Sequence, residues 1–194
     1  SLFKEIGDRD TAIEIVAEIG GIYLNLHDTE TSRRFAREGM AMMENGKWHP
    51  EKCALLQMKG LTYFLENQQE KSLYYMKKAF EQAKITGNIY YSCMIQIHTG
   101  MVLTRLNRPR EALRHLEQAR DTLKSFDWFM GKCEYLLYTG SAYLKMKKYQ
   151  AALGYFTSAE EMAKNYDIKN LLINIYRELA NVYTKMGKYK HALE

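Results

Sequence analysis

Proline and cysteine are both scarce in this chain of 194 residues, which has two prolines and three cysteines. So few prolines leave room for long helices, because proline removes a backbone donor and breaks helix interiors. Three cysteines cannot build a disulfide framework, and no CxxC or HxxxH spacing is present to hold a metal ion. Free thiols favour a reducing compartment, so we expect a cytoplasmic setting.

Catalytic constellations are also missing from the sequence. Its five histidines are scattered along the chain, and no acid, base and nucleophile recur beside them. The glycines do not form a phosphate-binding loop. We therefore predict a protein without enzymatic activity of its own, with neither a cofactor nor a metal ion.

The remaining composition is that of a helical array with an uneven charge. Apolar residues make up 46% of the chain and charged residues 26%, enough to bury a long core. No apolar run is long enough to span a membrane, so we do not expect this segment to insert into one. Residues 1–100 carry a net charge of −1 and residues 101–194 one of +6, which together give the formal charge of +5.

Small residues recur every forty positions. The series consists of Gly20, Gly60, Gly100, Gly140 and Ala180. Three positions later in each repeat comes a large residue, in the column Tyr23, Tyr63, Leu103, Tyr143 and Tyr183. Twelve positions later comes a small one, in the column Ser32, Ser72, Ala112, Ala152 and Ala192. Registered columns at a fixed period indicate a solenoid, in which each repeat packs against its neighbours.

Each repeat carries two predicted helices, and no strand pattern competes with them. First helices are predicted near residues 13–26, 53–66, 93–106, 133–146 and 173–186, and second helices near 30–45, 69–86, 109–125 and 149–165. Mid-helix glycine costs about 1 kcal/mol relative to alanine. The glycine column therefore predicts a close crossing of the two helices of a repeat, with the Ser/Ala column opposite. A further small column, Gly39, Ala79, Ala119 and Ala159, predicts close approach of each second helix to the next repeat.

Two segments carry a family resemblance. They read Thr139-Gly140-x-x-Tyr143…Ala152…Phe156…Ala159 and Leu179-Ala180-x-x-Tyr183…Tyr189-x-x-Ala192. This order resembles the tetratricopeptide (TPR) repeat. The period of 40 exceeds the family's usual period of about 34, and the closing proline of the family pattern is absent. Long-period arrays of this kind are similar to those of bacterial regulators and of eukaryotic adaptor proteins.

The resemblance implies an all-α fold, a right-handed α-α superhelix of about five helix-turn-helix repeats. We expect one array over residues 1–194, with repeats near 13–52, 53–92, 93–132, 133–172 and 173–194, the last incomplete. Residues 1–8 are predicted to be the tail of a preceding repeat. The chain is therefore expected to be a segment truncated at both ends.

In TPR arrays the ligand commonly lies in a concave groove lined by the first helices, and the resemblance implies such a groove here. Its predicted residues are Gln57, Leu61, Phe64, Ile97, Met101, Arg105, Leu137, Ser141, Lys145, Arg177, Asn181 and Lys185. Arg177, Asn181 and Lys185 share one helical face. They resemble the basic and asparagine clamp with which some family members hold a carboxylate. An apolar strip beside a basic end suits an amphipathic or acidic peptide.

A second candidate surface is a basic ridge at the turns of the last three repeats. Besides residues shared with the groove it comprises Arg108, Arg110, Lys147, Lys148, Lys188 and Lys190. Spaced at roughly 10 Å from repeat to repeat, these cations would attract an acidic partner. The alternative is a set of solvated turns that tolerate lysine. Nucleic acid is disfavoured because no base-reading module accompanies the charge.

The sequence therefore favours a binding module for a protein or peptide segment, without chemistry of its own. Two alternatives stay open. One is the ligand-sensing region of a bacterial signalling or transcriptional regulator. The other is an architectural or oligomerisation spacer, which would make the chain a homo-oligomer.

Overall fold

A computed structural model describes residues 9–43, 51–125 and 127–193 of the chain. These residues form ten α-helices and no strand, which confirms the predicted all-α class. The helices are α1 (Arg9–Asn25), α2 (Thr29–Met42), α3 (Lys52–Leu65), α4 (Gln69–Thr86), α5 (Ile89–Arg105), α6 (Pro109–Leu123), α7 (Phe129–Lys145), α8 (Tyr149–Asn165), α9 (Lys169–Lys185) and α10 (Tyr189–Leu193). Odd-numbered helices are the first helices of their repeats. The predicted tail of a preceding repeat, residues 1–8, lies outside the described residues.

Most of the first helices are longer than predicted. α5, α7 and α9 begin at Ile89, Phe129 and Lys169, four residues before their predicted starts, whereas the second helices begin within a residue of theirs. At α5 the chain enters the helix through Asn88, whose Oδ1 accepts a hydrogen bond from the backbone N–H of Tyr91 at 3.0 Å. Four residues are about one helical turn, so much of the extra length in this period extends the N-terminal end of the first helix.

The turns between the first and second helices share one backbone shape. Seven positions after the small residue of each repeat, the backbone has a positive φ: 61° at His27, 58° at Asn67, 58° at Asn107, 60° at Lys147 and 74° at Gly187. The next residue closes the turn, as where the N–H of Lys148 bonds to the carbonyl of Tyr143 at 3.0 Å. Glycine and asparagine tolerate this left-handed conformation better than a residue such as lysine.

The chain divides into two compact units, residues 1–95 (unit 1) and residues 96–194 (unit 2), and the boundary falls within α5. In unit 1, α1 packs against α2 and α3, and Ile13 and Leu55 lie in its core. In unit 2, α7 packs against α6, α8 and α9, and Phe156 and Ile175 are fully buried. The expectation of a single array across the whole chain stays a prediction.

The glycine column allows close helix crossing, as predicted. A Cβ added to Gly100 would lie 2.6 Å from Cγ of Leu116, and one added to Gly140 would lie 2.6 Å from Cε1 of Phe156. These nearest neighbours come sixteen positions after the glycine, one turn beyond the predicted Ser/Ala column. At Gly60 the predicted column is also in contact, because an added Cβ would lie 3.3 Å from the carbonyl oxygen of Ser72. The second prediction is confirmed at Gly39, where an added Cβ would lie 2.8 Å from Cδ1 of Leu55 in the next repeat.

Aromatic stacks explain the tyrosine column. Three repeats pair the aromatic of the first helix with one on the second helix in nearly parallel rings. The pairs are Tyr23 with Phe35 at 5.7 Å between ring centroids, Tyr63 with Tyr75 at 5.4 Å, and Tyr143 with Tyr155 at 5.4 Å. In the third repeat the same two positions are Leu103 and His115. The stacks join the two helices of a repeat, so most of this aromatic content is structural.

Candidate functional site

α3 supplies the unit 1 residues of the predicted groove. Leu61 and Phe64 are half-buried on this helix. Gln57 is only 4% exposed and lies inside the protein. The accessible part of this face is therefore smaller than the sequence predicts.

In unit 2 the same position of the first helix is also interior. Ile97 on α5 is fully buried, and Leu137 on α7 is 2% exposed. Leu137 belongs to the core of unit 2 together with Ile175 of α9. The predicted groove is therefore corrected at Gln57, Ile97 and Leu137, which face the core and do not line the surface.

Two other positions of each first helix do reach the surface in unit 2, and together they form the first-helix stripe. Its members are Met101, Arg105, Ser141, Lys145, Asn181 and Lys185. Met101 and Ser141 are half-buried and the other four are exposed. The hydroxyl of Ser141 donates to the carbonyl of Leu137 at 3.0 Å, so it is held against its own helix.

The cations of the stripe sit at equivalent helix ends. Arg105, Lys145 and Lys185 are the last residues of α5, α7 and α9. A cation at a helix C-terminus interacts favourably with the backbone dipole, typically by about 0.3 to 1 kcal/mol. Each of these three cations therefore stabilises the end of its own helix. The three also occupy equivalent positions in successive repeats.

The clamp-like face of α9 lies at the surface. Arg177 and Asn181 are both exposed. Arg177 donates through Nη1 to Oδ1 of Asn174 at 3.1 Å, and Asn181 donates through Nδ2 to Oε2 of Glu178 at 3.4 Å. These donors therefore have acceptors on their own helix, which an incoming carboxylate would have to displace or share.

A polar pair on the same side of the first helices was missed by sequence reasoning. Nε2 of His98 lies 3.7 Å from Oε2 of Glu134, and the two side chains are 11% and 16% exposed. His98 precedes Met101 by three residues and Glu134 precedes Ser141 by seven, so both lie near the stripe. The sequence carries no signal for this pair, because its two residues lie 36 positions apart in different repeats.

The predicted ridge residues lie at or near the surface, and one of them, Arg108, is paired with an acidic residue. Arg110, Lys147, Lys148, Lys188 and Lys190 are exposed. Arg108 is half-buried and donates through both Nε and Nη2 to the two carboxylate oxygens of Glu111, each at 2.7 Å. These hydrogen bonds hold the pKa of Glu111 below its usual value.

Two shallow hollows accompany the ridge. One, of about 350 Å³, lies between residues 107–111 and Met146. The other, of about 440 Å³, lies between residues 147–151 and Met186. The same repeat positions form both hollows, so the turns around residues 107 and 147 are each followed by a methionine-walled recess.

The cysteines give no reactive site. Cys53, Cys93 and Cys133 are buried, free thiols. Burial raises the pKa of each to about 11, so they are protonated at neutral pH and poor nucleophiles. Among the described residues, no three or more His, Cys, Asp or Glu side chains are grouped to hold a metal ion. No helix in that part of the chain is long and apolar enough to cross a membrane.

Comparison with known proteins identifies the fold. No family model and no curated protein matches the sequence. A Rap protein in complex with competence and sporulation factor is 17% identical, with a TM-score of 0.81 over 93% of this chain and 51% of that one. BtubC from P. vanneervenii is 14% identical, with a TM-score of 0.71 over 95% of this chain and 76% of that one. TPR-like repeats assigned to a kinesin light chain of Podosopora anserina are 14% identical, with a TM-score of 0.68 over 96% and 92%.

These similarities confirm the resemblance stated from the sequence. The chain has the TPR-like fold, an all-α repeat of helical hairpins. It spans about half the length of the Rap chain. At such low identities the likeness carries the fold and not the ligand.

Proposed function

We propose that the chain is a non-catalytic scaffold that binds a protein or peptide segment on the first-helix stripe of unit 2. The observation that carries this proposal is the recurrence of accessible side chains at the same two positions of three first helices. Next to them, Ile97 and Leu137 are closed into the core. A surface that repeats in register suits a ligand that is itself extended and crosses several repeats.

The chemistry of the stripe suggests how such a segment would lie. Arg105, Lys145 and Lys185 form its basic side. Toward the helix N-termini, His98 lies about two turns before Arg105 and Glu134 about three turns before Lys145. Met101 and Ser141, between these sides, offer a small apolar or neutral surface. The stripe therefore suits a segment that presents carboxylates to the basic row and a hydrogen-bond donor toward Glu134.

A protein of the same fold supports a ligand-binding role at the level of the fold. The Rap protein named above was solved in complex with competence and sporulation factor. A TPR-like array of comparable architecture therefore carries a ligand in that case. For this chain the nature of the ligand is part of the proposal.

A blocking substitution with a matched control tests the proposal. Peptides would be selected from a displayed random library against the whole chain, and their affinities would then be measured with Ser141→Phe and Thr157→Phe. The hydroxyls of Ser141 and Thr157 both donate to the carbonyl four residues earlier, at 3.0 Å in each case. Thr157 lies on the exposed side of α8, away from the first helices, so it controls for the added ring.

The expected result is at least a tenfold loss of affinity in Ser141→Phe, roughly 1.4 kcal/mol or more, and little change in Thr157→Phe. Asn181→Phe, at an exposed position of the same column, is a second blocking variant in case Ser141→Phe disturbs folding. Circular dichroism establishes that each variant is folded. Equal losses in the stripe and control variants, or no selected peptide at all, would reject the stripe as the binding surface.

A further inference from the structure

The cations at the two edges of unit 2 differ in whether they form ion pairs. We call residues 105–111, 145–151 and 185–190 the turn edge, and residues 120–132 and 160–169 the linker edge. Every cation of the linker edge has an acidic partner. The pairs are Arg120 with Asp121 at 3.3 Å, Lys124 with Asp121 at 2.9 Å, Lys132 with Asp127 at 3.7 Å, Lys164 with Glu160 at 2.6 Å and Lys169 with Asp167 at 3.2 Å.

The turn edge shows the opposite behaviour. Six of its cations have no ion-pair partner among the described residues: Arg110, Lys145, Lys147, Lys185, Lys188 and Lys190. Arg108 is paired with Glu111, and the ammonium group of Lys148 lies 5.8 Å from the ring centroid of Tyr143. The acidic residues of unit 2 are therefore concentrated away from the turn edge, and the edge carries an uncompensated positive charge.

This segregation is unfavourable for the isolated fold. Like charges that recur in neighbouring repeats at roughly 10 Å repel each other across about one Debye length. If the turns merely tolerated lysine, acidic residues would be distributed without regard to these cations. More of the cations would then be paired, as they are on the linker edge. The sorting instead raises the positive potential along one edge, which attracts an anionic partner.

Lys147 adds an independent observation at the centre of this edge. Its backbone φ is 60°, at a position where the other repeats have His27, Asn67, Asn107 or Gly187. A left-handed conformation costs a residue other than glycine about 1 to 2 kcal/mol, and asparagine less. A strained lysine in an exposed turn is a poor choice for stability, so its presence fits a role for its charge.

The hollows set the class of the partner. The cations on this edge alternate with recesses walled by Met146 and by Met186, with Pro109 and Tyr149 beside them. Thioether and ring surfaces accommodate apolar side chains of varied shape. We propose that the turn edge of unit 2 docks an acidic protein segment whose carboxylates alternate with apolar side chains. The turn edge shares Arg105, Lys145 and Lys185 with the first-helix stripe. The inference rests on Lys147, Lys188, Lys190 and the two hollows, which are not part of the stripe, so it does not depend on that proposal.

A synthetic peptide of repeated Glu-Glu-Leu units tests the inference, with a polyglutamate peptide and a duplex DNA of similar length as comparators. Binding to the whole chain is followed by fluorescence anisotropy at about 50 mM and about 300 mM salt. The ridge variant combines Lys147→Gln, Lys188→Gln and Lys190→Gln. The control variant combines Lys124→Gln, Lys132→Gln and Lys164→Gln, which removes the same formal charge from the linker edge.

The Glu-Glu-Leu peptide should bind more tightly than polyglutamate, and the ridge variant should weaken it roughly tenfold at low salt and less at high salt. The control variant should change its affinity by less than about twofold, and Ser141→Phe should weaken it less than the ridge variant does. Equal weakening by the ridge and control variants, or no binding at low salt, overturns the inference. Tighter binding of DNA than of the peptide overturns the choice of a protein partner. Loss of peptide binding in Ser141→Phe alone moves the site to the stripe.

Discussion

The two units use charged side chains in different ways. In unit 1, Arg33 of α2 donates to Glu66, the C-cap residue that follows α3. Nε2 of Gln68 donates to the other carboxylate oxygen of Glu66 at 3.1 Å. Nζ of Lys71 in turn donates to Gln68 at 2.7 Å. Arg33 and Lys71 also both lie 5.5 Å from the ring centroid of Tyr63. Charge here ties one repeat to the next.

At the equivalent positions of unit 2, the contact between successive repeats is apolar. Leu153 stands where unit 1 has Arg33, and Met186 stands where it has Glu66, and both pack against the core of unit 2. Apolar contact needs no geometry between charged groups and no desolvation of an ion. At this register, therefore, unit 2 joins its repeats without a cation, and the cations of the turn edge are not used for that contact.

Substitutions at Gly140 and Gly20 should show the largest difference in stability between the two units. The two glycines occupy the same repeat position but have different neighbours. A Cβ at Gly140 would lie 2.6 Å from the ring of Phe156, which is fully buried, whereas at Gly20 it would lie 2.6 Å from Sδ of Met58. A buried ring cannot move aside, but a methionine end adapts. We expect Gly140→Ala to lower the free energy of unfolding by about 2 to 3 kcal/mol.

For Gly20→Ala the gain in helix propensity, about 1 kcal/mol, offsets most of the small repacking cost. Its free energy of unfolding should therefore change by less than about 1 kcal/mol. Urea unfolding followed by circular dichroism measures both variants. Similar values for the two would show that the glycine column is packed alike in both units.

Alkaline pH should affect unit 1 more than unit 2 through the buried thiols. Unit 1 holds Cys53 and Cys93 and unit 2 holds Cys133, and burial raises the pKa of each to about 11. Between the ordinary thiol pKa and this raised pKa, the unfolded chain loses the proton and the folded chain keeps it. Stability is thus fully present below about pH 8 and falls as pH rises, by about 1 kcal/mol per thiol up to pH 10.

Cysteine replacements separate this effect from other alkaline changes. The double variant Cys53→Ala and Cys93→Ala should lose about 2 kcal/mol less than the parent chain between pH 8 and pH 10, and Cys133→Ala about 1 kcal/mol less. The readout is the pH dependence of the urea unfolding free energy, not its absolute value, since removing a buried thiol also leaves a small cavity. An unchanged pH dependence in all variants would mean that the thiols ionise without unfolding.

A pair of double-mutant cycles compares ion pairs of the two units. Arg33 and Glu66 are 32% and 22% exposed and belong to a hydrogen-bonded network, whereas Arg108 and Glu111 are 40% and 38% exposed on one helix turn. We expect a coupling energy of about 1 to 1.5 kcal/mol for the first pair. The second pair, more exposed to solvent and salt, should give less than about 0.5 kcal/mol.

Alanine substitutions, singly and together, supply both cycles from thermal or urea unfolding at low and moderate salt. Coupling should persist with salt for the unit 1 pair and vanish for the unit 2 pair. Equal coupling in the two pairs would remove the claim that unit 1 uses charge to join its repeats.

Periodicity predicted the helical hairpins and the glycine crossings, because small residues that recur at a fixed helix position commonly allow two helices to pack closely. It misplaced the starts of α5, α7 and α9 by a turn. At α5 the side chain of Asn88 caps the helix, and nothing in the apolar pattern marks that cap. The resemblance to TPR arrays placed Ile97 and Leu137 in the groove, although both are buried. A helix pattern gives the angle of a residue around the helix but not which neighbouring helix will cover it.

The candidate sites were predicted unevenly for a related reason. Exposure of the ridge lysines followed from turn chemistry, so the sequence placed Lys147 and Lys188 at the surface. Their lack of acidic partners among the described residues could not be predicted, because it depends on where the distant acids of the linker edge fold. The contact between His98 and Glu134 was likewise invisible, since it joins residues of different repeats.

Lys147→Gly should change stability only slightly. It distinguishes the two explanations of the turn edge, which are a docking surface for an acidic segment and solvated turns that tolerate lysine. Its φ of 60° suits glycine, so the free energy of unfolding should rise by about 0.5 to 1 kcal/mol. Asn107→Gly, at the same turn position with a φ of 58°, is the matched control. It should gain only a few tenths, because asparagine already tolerates this conformation.

Binding of the Glu-Glu-Leu peptide at low salt should move in the opposite direction. Loss of one unpaired cation should weaken it about two- to threefold in Lys147→Gly and leave it unchanged in Asn107→Gly. A lysine that is merely tolerated by a solvated turn would give the gain in stability with no loss of binding. Opposite signs for stability and affinity at this one residue would instead show that unit 2 keeps a strained cation because an acidic partner uses it.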